Sequence, residues 1–382
     1  MRIFFSAGEP SGDLHGGNLI RALRAQYPAV ECVGFGGERM EAAGCRLHYP
    51  LCSLALMGFV QVFLSLHKFV RLLKRAERYF REHRPDAVVL IDFPGFNWAI
   101  AKRAHELGIP VYYFVPPQIW AWARWRIKKM QRWVDHVLCS LPFEETWYRQ
   151  HGVNARYLGH PYFDELSRQR LDAAFVAEEK SRPSQIVALL PGSRTHEVED
   201  NLQTLVRAAA EIHAARPDIR FLVACFKDAH ARRIDAYIRE HNLPFIQTRV
   251  GRTAEILDLA RACIAVSGSV GLEMLYRGIP SVVVYYMQAY YVPLVGIFKK
   301  VRYISIVNLI ADEEIFPELL SPRCEAKAAA DHVLGWFNDP SAYQAVTNKL
   351  AALREKVAEP GACDRAANYI LNSLREDLRA SA

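Results

Sequence analysis

Short apolar runs recur along the chain, each closed by a turn-forming segment and followed by residues of helical periodicity. In the first part they are Arg2–Ala7, Glu31–Gly36, Ala87–Asp92, Val111–Val115, His136–Cys139 and Ala155–Leu158. A charged stretch with Pro183, Leu171–Ser184, reads as a linker. The pattern then restarts with Ile186–Leu190, Arg220–Ala224, Phe245–Gln247, Cys263–Val266 and Ser281–Tyr285. Runs such as Val88-Val-Leu-Ile91 are apolar without alternation, as in a parallel strand covered on both faces. Strand, turn and helix in repetition predict an α/β fold, two doubly wound parallel-sheet domains over residues 1–165 and 183–340. Helices Ala326–Asn338, Ser341–Lys356 and Asp364–Arg379 close the chain, residues 341–382 forming a C-terminal helical segment.

Two segments depart from this pattern. From Leu54 the chain is apolar nearly all round a helix, with Leu56, Val60, Phe63, Leu66, Phe69 and Val70 in the stretch. It then turns basic through Lys68, Arg71, Lys74, Arg75, Arg78, Arg81 and Arg84. A core helix with a solvated basic end has this pattern, and so does an element that seeks an anionic phospholipid surface. A second basic and aromatic segment, Gln118–Trp133, holds four of the seven tryptophans: Trp120, Trp122, Trp125 and Trp133. That pair of segments favours the membrane-surface reading. No RNA-binding signature accompanies the tryptophans, so no nucleic-acid partner is expected.

Composition changes little. The 382 residues are 51% hydrophobic and 23% charged, with a net charge of +7, which suits phosphate-bearing substrates or an anionic surface. Eight cysteines without a Cys-x-x-Cys pair fit free thiols in a reducing cytoplasm. No apolar stretch reaches the length of a membrane span.

Candidate chemistry lies at the strand ends, where ligands of such sheets bind. Ser267-Gly-Ser-Val-Gly271, between a strand and a helix, has little side-chain bulk and can offer backbone N–H groups to an anion. It is neither a dinucleotide fingerprint nor a P-loop. Ser193 and Arg194 follow another strand, and a guanidinium there suits a phosphate. Glu273, one turn into the next helix, can accept two ribose hydroxyls or simply favour a helix start, and Asn308 is a further polar candidate. Asp92 ends a very apolar strand, placed either to take a proton from an acceptor hydroxyl or to cap the turn at Gly95–Asn97. The first loop, expected over Gly8–Gly17 before a helix to about Gln26, adds Glu9, Ser11, Gly12, Asp13 and His15 as acceptor contacts or competing bases. No carboxylate cluster with metal spacing adjoins these loops, so neither metal nor cofactor is expected. With two such domains in series, the motifs are expected to converge on a cleft.

Taken together, Ser6-Ala-Gly-Glu-Pro-Ser-Gly-Asp13, Ile91-Asp-Phe-Pro-Gly-Phe-Asn97, Pro191-Gly-Ser-Arg194, Ser267-Gly-Ser-Val-Gly-Leu-Glu273 and the stretch from Asn308 to Pro317-Glu-Leu-Leu320 resemble the bacterial lipid-A-disaccharide synthase family. The resemblance implies a GT-B glycosyltransferase, two Rossmann-like domains facing across a cleft, working at the inner face of the cytoplasmic membrane of a Gram-negative bacterium. It implies inverting transfer from UDP-2,3-diacylglucosamine to 2,3-diacylglucosamine 1-phosphate, giving a β(1→6) disaccharide 1-phosphate and UDP. It also implies that the last helix packs back on the N-terminal domain. On this reading Asp92 is the base, while Arg194 and the loop amides hold the leaving diphosphate. Another UDP-N-acetylglucosamine-dependent GT-B transferase, or a non-catalytic nucleotide-sugar or lipid-binding protein, remains open at this point.

Overall fold

The computed structural model describes residues 1–55, 66–287 and 301–380. They divide into two units, Met1–Ser167 with Glu359–Ala382, and Arg168–Ala358. The first unit runs β1 (Arg2–Ala7), α1 (Pro10–Gln26), β2 (Glu31–Phe35), α2 (Glu38–Ala42), β3 (Arg46–Tyr49), α3 (Cys52–Ala55), α4 (Leu66–His83), β4 (Ala87–Ile91), α5 (Pro94–Glu106), β5 (Val111–Phe114), α6 (Ile119–Trp122), α7 (Ile127–Trp133), β6 (His136–Cys139), α8 (Pro142–Gln150), β7 (Ala155–Tyr157) and α9 (Tyr162–Arg168). All seven strands are parallel, in the order β3-β2-β1-β4-β5-β6-β7.

Successive strand side chains go to opposite faces. Phe4, Val88, Leu90 and Tyr113 enter a core with Leu72, Ala76 and Phe80 of α4. Ile3, Phe5, Val89 and Ile91 enter a second core with Leu19 and Leu23 of α1. The α4 core stripe, Leu72, Ala76, Tyr79 and Phe80, follows the helical period and leaves Arg71, Lys74, Arg75, Arg78 and Arg81 exposed.

The second unit continues with α10 (Ala173–Lys180), β8 (Gln185–Leu190), α11 (Thr195–Ala215), β9 (Ile219–Cys225), α12 (Asp228–Glu240), β10 (Ile246–Val250), α13 (Thr253–Leu259), β11 (Ala262–Val266), α14 (Val270–Arg277), β12 (Ser281–Tyr286), α15 (Ile306–Ala311), β13 (Glu318–Ser321), α16 (Ala326–Asn338) and α17 (Pro340–Val357). Its six strands are again parallel, in the order β10-β9-β8-β11-β12-β13. The last helix, α18 (Ala362–Ala380), belongs to the first unit, where Ala366, Ile370 and Leu374 join the core that contains α1. The Asp164 carboxylate caps it, accepting the N–H groups of Gly361, Ala362 and Cys363 at 2.6, 3.0 and 2.8 Å.

Two expectations change. Residues 171–184 are not an open linker, since Asp172 caps α10 by accepting the N–H groups of Ala174 and Phe175, and Glu179 is buried against Arg220 and Arg249. The charge that suggested a solvated segment is consumed by an internal ion-pair cluster. Likewise, the first loop is only Gly8 and Glu9, because Pro10, with its fixed φ, starts α1 at once. Gly17 lies inside the helix, where a Cβ would come within 2.8 Å of the Arg39 carbonyl oxygen, so it serves the contact between α1 and α2.

Candidate active site

In each sheet the strand order reverses once, between β1 and β4 in the first unit and between β8 and β11 in the second. At such a switch point the connections leave in opposite directions and open a crevice beyond the carboxyl ends. Ala7 pairs with Ile91, and Leu190 with Ala265. Glu9 to Asp13 therefore adjoin Asp92, and Pro191 to Arg194 adjoin Ser267 to Ser269. Four of the sequence motifs occupy the two switch points, two on each.

At the first of these, the backbone is strained. Asp92 and Phe93 have φ of 45° and 46°, and Val115, at the end of neighbouring β5, has φ of 52°. Left-handed geometry costs a non-glycine residue about 1–2 kcal/mol, more for a β-branched one. Side chains hold the turn in place. The Asp92 carbonyl accepts from Asn97 Nδ2 at 2.8 Å and from the Tyr113 hydroxyl at 2.7 Å. Asn97 also donates to the Ser6 carbonyl and accepts the Ser6 hydroxyl at 2.7 Å, which ties β1 to β4. Burial, then the adjacent Asp92 charge, holds the Tyr113 phenol well above its ordinary pKa, so it stays a donor. Phe93 lies over Gly8, where a Cβ would come within 2.2 Å of its ring. Phe69, from the apolar end of α4, packs on Phe93 and Phe96, with ring centroids 6.4 and 5.7 Å away.

The first-helix candidates separate by environment. Glu9 is half-buried and Ser11 exposed. The Asp13 carboxylate is buried and accepts the N–H groups of Gly37, Arg39 and Met40 at 2.8, 3.0 and 3.0 Å, which caps α2. His15 lies inside the unit, edge-on to His160 at 5.8 Å. Burial pushes the two imidazoles down to about 4 and about 3, so both are neutral at ordinary pH. Asp13→Ala is therefore expected to destabilise by about 2–4 kcal/mol, the cost of a lost cap and of amides left unpaired. A thermal melt should read roughly 2–4 °C for each of these. An unchanged melt with a raised acceptor KM would instead make Asp13 a substrate contact.

At the second switch point two loops meet. Two amides of the Pro191–Arg194 loop are already engaged, since the Ser193 and Arg194 N–H groups donate to Glu197 Oε2 at 3.0 and 3.1 Å. Gly192, with φ of 107°, makes room for that carboxylate. The Arg194 guanidinium lies 3.5 Å from Glu197 and is 66% exposed. Across the switch point, Ser267 is half-buried and Gly268 and Ser269 are exposed at the start of α14. Among the described residues, the Gly268 and Ser269 N–H groups have no protein acceptor. Gly271 packs on α15, its Cβ position 3.3 Å from Ile306.

Glu273 is buried and accepts from Arg277 Nε and Nη2, each at 3.2 Å. Asn308 is fully buried. Its Oδ1 accepts the Ile315 and Phe316 N–H groups at 2.9 Å each, and its Nδ2 donates to the Phe316 carbonyl and to Glu318 at 2.7 and 2.9 Å. Asn308 thus joins α15 to β13. Beside Arg194 lies a group that sequence reasoning missed. Lys227, beyond β9, donates to Thr195 Oγ1 at 3.3 Å, which also meets His230 Nε2 at 3.3 Å. A lone lysine and histidine, 33 and 36 residues after Arg194, carry no motif, and only the β8–β9 pairing brings them here.

The surface candidates divide too. Leu56, Val60 and Phe63 lie outside the described residues, as does the side chain of Leu66. Val70 is 46% exposed. Trp120 is buried and donates to Glu144, and Trp133 packs on the core, whereas Trp122 and Trp125 are 40% and 62% exposed. Among the described residues, no helix is long and apolar enough to cross a membrane, and no group of three or more His, Cys, Asp and Glu side chains is arranged to hold a metal ion.

Comparison with known proteins decides the family. Residues 3–370 match the family model described as lipid-A-disaccharide synthetase. The chain belongs to this family. Lipid-A-disaccharide synthase from Myxococcus xanthus is 34% identical over 376 residues, covering 98% of this chain and 97% of the relative. The Coxiella burnetii synthase (strain CbuG_Q212) is 32% identical over 376 residues, covering 97% and 98%. Among solved structures, the calicheamicin glycosyltransferase CalG4 has a TM-score of 0.61 at 15% identity, covering 98% of each chain. UDP-GlcNAc 2-epimerase from Neisseria meningitidis has a TM-score of 0.63 at 10% identity, covering 98% and 99%. The expected family, α/β fold of GT-B type and glycosyltransferase activity in lipid A biosynthesis all hold. Membership implies a UDP-sugar donor and a lipid acceptor.

Proposed function

We propose that the chain transfers 2,3-diacylglucosamine from UDP-2,3-diacylglucosamine to the 6-hydroxyl of 2,3-diacylglucosamine 1-phosphate. The observation that carries the assignment of roles is the pairing of motifs at the two switch points, because each supplies what one substrate needs. In the second unit, the open Gly268 and Ser269 amides and the exposed Arg194 guanidinium suit the donor diphosphate. Ser193 and Glu197 fix the loop that carries Arg194. In the first unit, Asp92 sits at a turn held by Asn97 and Tyr113, beside Glu9 and Ser11.

In this reading the Asp92 carboxylate takes the proton of the acceptor 6-hydroxyl. That oxygen bonds to the donor anomeric carbon on the face opposite UDP, and the bond from that carbon to the diphosphate oxygen breaks. The electron pair departs with UDP, whose developing charge meets Arg194 and the loop amides. Inversion yields the β(1→6) linkage, and the proton stays on Asp92 until solvent removes it.

Both substrates are acylated, and Val70, Trp122, Trp125 and the basic face of α4 suit a peripheral site on an anionic, inner-face membrane surface. The deciding assay incubates purified protein with both substrates in mixed micelles and looks for disaccharide 1-phosphate and UDP by mass spectrometry. Absence of both products would exclude the reaction. A parallel flotation with phosphatidylglycerol and phosphatidylcholine vesicles is expected to recover protein only with the former, and recovery with neither would remove the membrane role.

A further inference from the structure

Among the described residues, Phe226 is the most exposed large hydrophobic side chain, at 68%, ahead of Trp125 at 62%. It follows β9 directly, one strand away from the loop that carries Arg194. A lone hydrophobic residue on a surface needs no explanation, but this one stands at the carboxyl edge of an α/β sheet, where ligands bind.

Its neighbours fix the face it points to. Cys225 is buried in the core that holds Val198 and Leu202 of α11 and Ile234 of α12. Lys227 turns to the same side, since its ammonium donates to Thr195 at the start of α11. The backbone at Lys227 is extended, with φ of −148° and ψ of 157°, so alternation directs Phe226 to the opposite side. That side is covered by α13 and α14, whose buried residues Ile256, Leu257, Leu272 and Leu275 lie outside the α11 core. Phe226 and the Gly268 and Ser269 amides, which open α14, thus share one face of the carboxyl edge.

The spacing suits a nucleoside. β8 separates β9 from β11, so the ends of β9 and β11 lie two strand spacings apart, about 10 Å. A diphosphate on the Arg194 and Gly268–Ser269 loops leaves its ribose to cover the remaining step to Phe226. In the other direction, toward β12 and β13, Glu273 is engaged by Arg277, and Asn308 by the Ile315 and Phe316 amides. The surroundings of Phe226 favour a base over an acyl chain. The Gly251 N–H donates to the Cys225 carbonyl at 3.1 Å, which sets Arg252 and Thr253 beside the ring, and Arg252 is paired with Asp172 at 2.8 Å. One aromatic face within polar side chains matches a pyrimidine, apolar on its faces and polar at its rim, whereas an acyl chain needs a continuous apolar surface.

We propose that Phe226 stacks on the pyrimidine base of the nucleotide-sugar donor and so positions the donor for transfer. This role rests on the donor reading of the Arg194 and Gly268–Ser269 loops and adds the nucleoside end, for which those loops supply no aromatic surface. Stacking reads the face of a base and not its edge, so Phe226 supplies affinity with little choice between pyrimidines.

The test is calorimetry of the full chain with UDP, without acceptor. Phe226→Ala is expected to weaken UDP binding about tenfold or more, the usual worth of one stacked base. Phe226→Leu, which keeps apolar bulk, should weaken it nearly as much, while Phe226→Trp should hold wild-type affinity or exceed it. Because the ring is exposed, the melts of all three should coincide with that of wild type. Inorganic pyrophosphate, which lacks the nucleoside, should compete with UDP equally well on wild type and on Phe226→Ala. Saturation-transfer NMR should mark the uracil H5 and H6 protons most strongly in wild type and less in Phe226→Leu. UDP affinity within twofold of wild type in Phe226→Ala overturns the proposal and leaves the donor reading intact. Equal losses for UDP and pyrophosphate overturn it as well, because the phosphate loops have then been disturbed. If Phe226→Ala spares UDP but weakens vesicle recovery or binding of the acylated donor, the ring serves a lipid and the proposal falls. Wild type that binds no UDP removes the donor reading and the stacking role together.

Discussion

Asp92→Asn is expected to reduce turnover by about 10²–10⁴-fold, the usual worth of a positioned general base, while UDP affinity stays within about twofold of wild type. Asparagine keeps the shape of the side chain and tolerates the left-handed backbone that Asp92 adopts, with φ of 45°. The carbonyl contacts from Asn97 and Tyr113 use the main chain and persist in the variant. What is removed is the charge and the basic oxygen of the side chain. A structural role predicts another outcome, in which the melt falls and turnover at low temperature does not. Single-turnover kinetics, a thermal melt and UDP calorimetry on one preparation separate the two, and near-normal turnover with a lowered melt would return Asp92 to the turn.

The strain around Asp92 supports its placement at a functional site. Ser6, Asn97 and Tyr113 hold two consecutive non-glycine residues in the left-handed region. Such strain persists only where surrounding contacts over-determine it, and it clusters at functional sites. Asn97 is the informative neighbour. Asn97→Ala releases the Asp92, Ile91 and Ser6 carbonyls together, so loss of activity in that variant cannot be ascribed to chemistry.

Much of the fold was legible because buried parallel strands leave a plain signal. Ala87–Ile91 and Ala262–Val266 are apolar at every position and buried at every position. Strand order was not legible, because it depends on pairings such as Ala7 with Ile91, eighty-four residues apart. The site was legible at the level of motifs but not of roles. Asp13 stands in polar, loop-like sequence, as ligands do, and Asn308 is the lone polar residue of the apolar run Ile306–Ala311. Both, however, direct their side chains to backbone amides, and a sequence does not record where a carboxylate or amide turns. The charged stretch around Glu179 misled for the opposite reason: its partners Arg220 and Arg249 come from strands β9 and β10, beyond any local window.

Arg194→Gln is expected to lower kcat by about 10²–10³-fold, the range seen when one donor to developing negative charge is lost, and to weaken UDP binding as well. The two loops at the second switch point divide the work. Glu197 already occupies the Ser193 and Arg194 amides, so that loop contributes a side chain, while the Gly268 and Ser269 amides remain for the anion. Arg194 is 66% exposed and its contact with Glu197 is long at 3.5 Å, so the pair adds little stability and the guanidinium can turn to a phosphate. The variant should therefore melt within about 1 °C of wild type. Arg194→Lys should recover only part of the rate, because an ammonium lacks the planar fork that binds two phosphate oxygens. Glu197→Gln keeps the amide acceptor but removes its charge, and should alter kcat far less than Arg194→Gln. If the two variants lose equal activity and both lower the melt, Arg194 acts by shaping the loop. If Arg194→Gln loses kcat and UDP affinity at an unchanged melt, the guanidinium acts on the departing diphosphate.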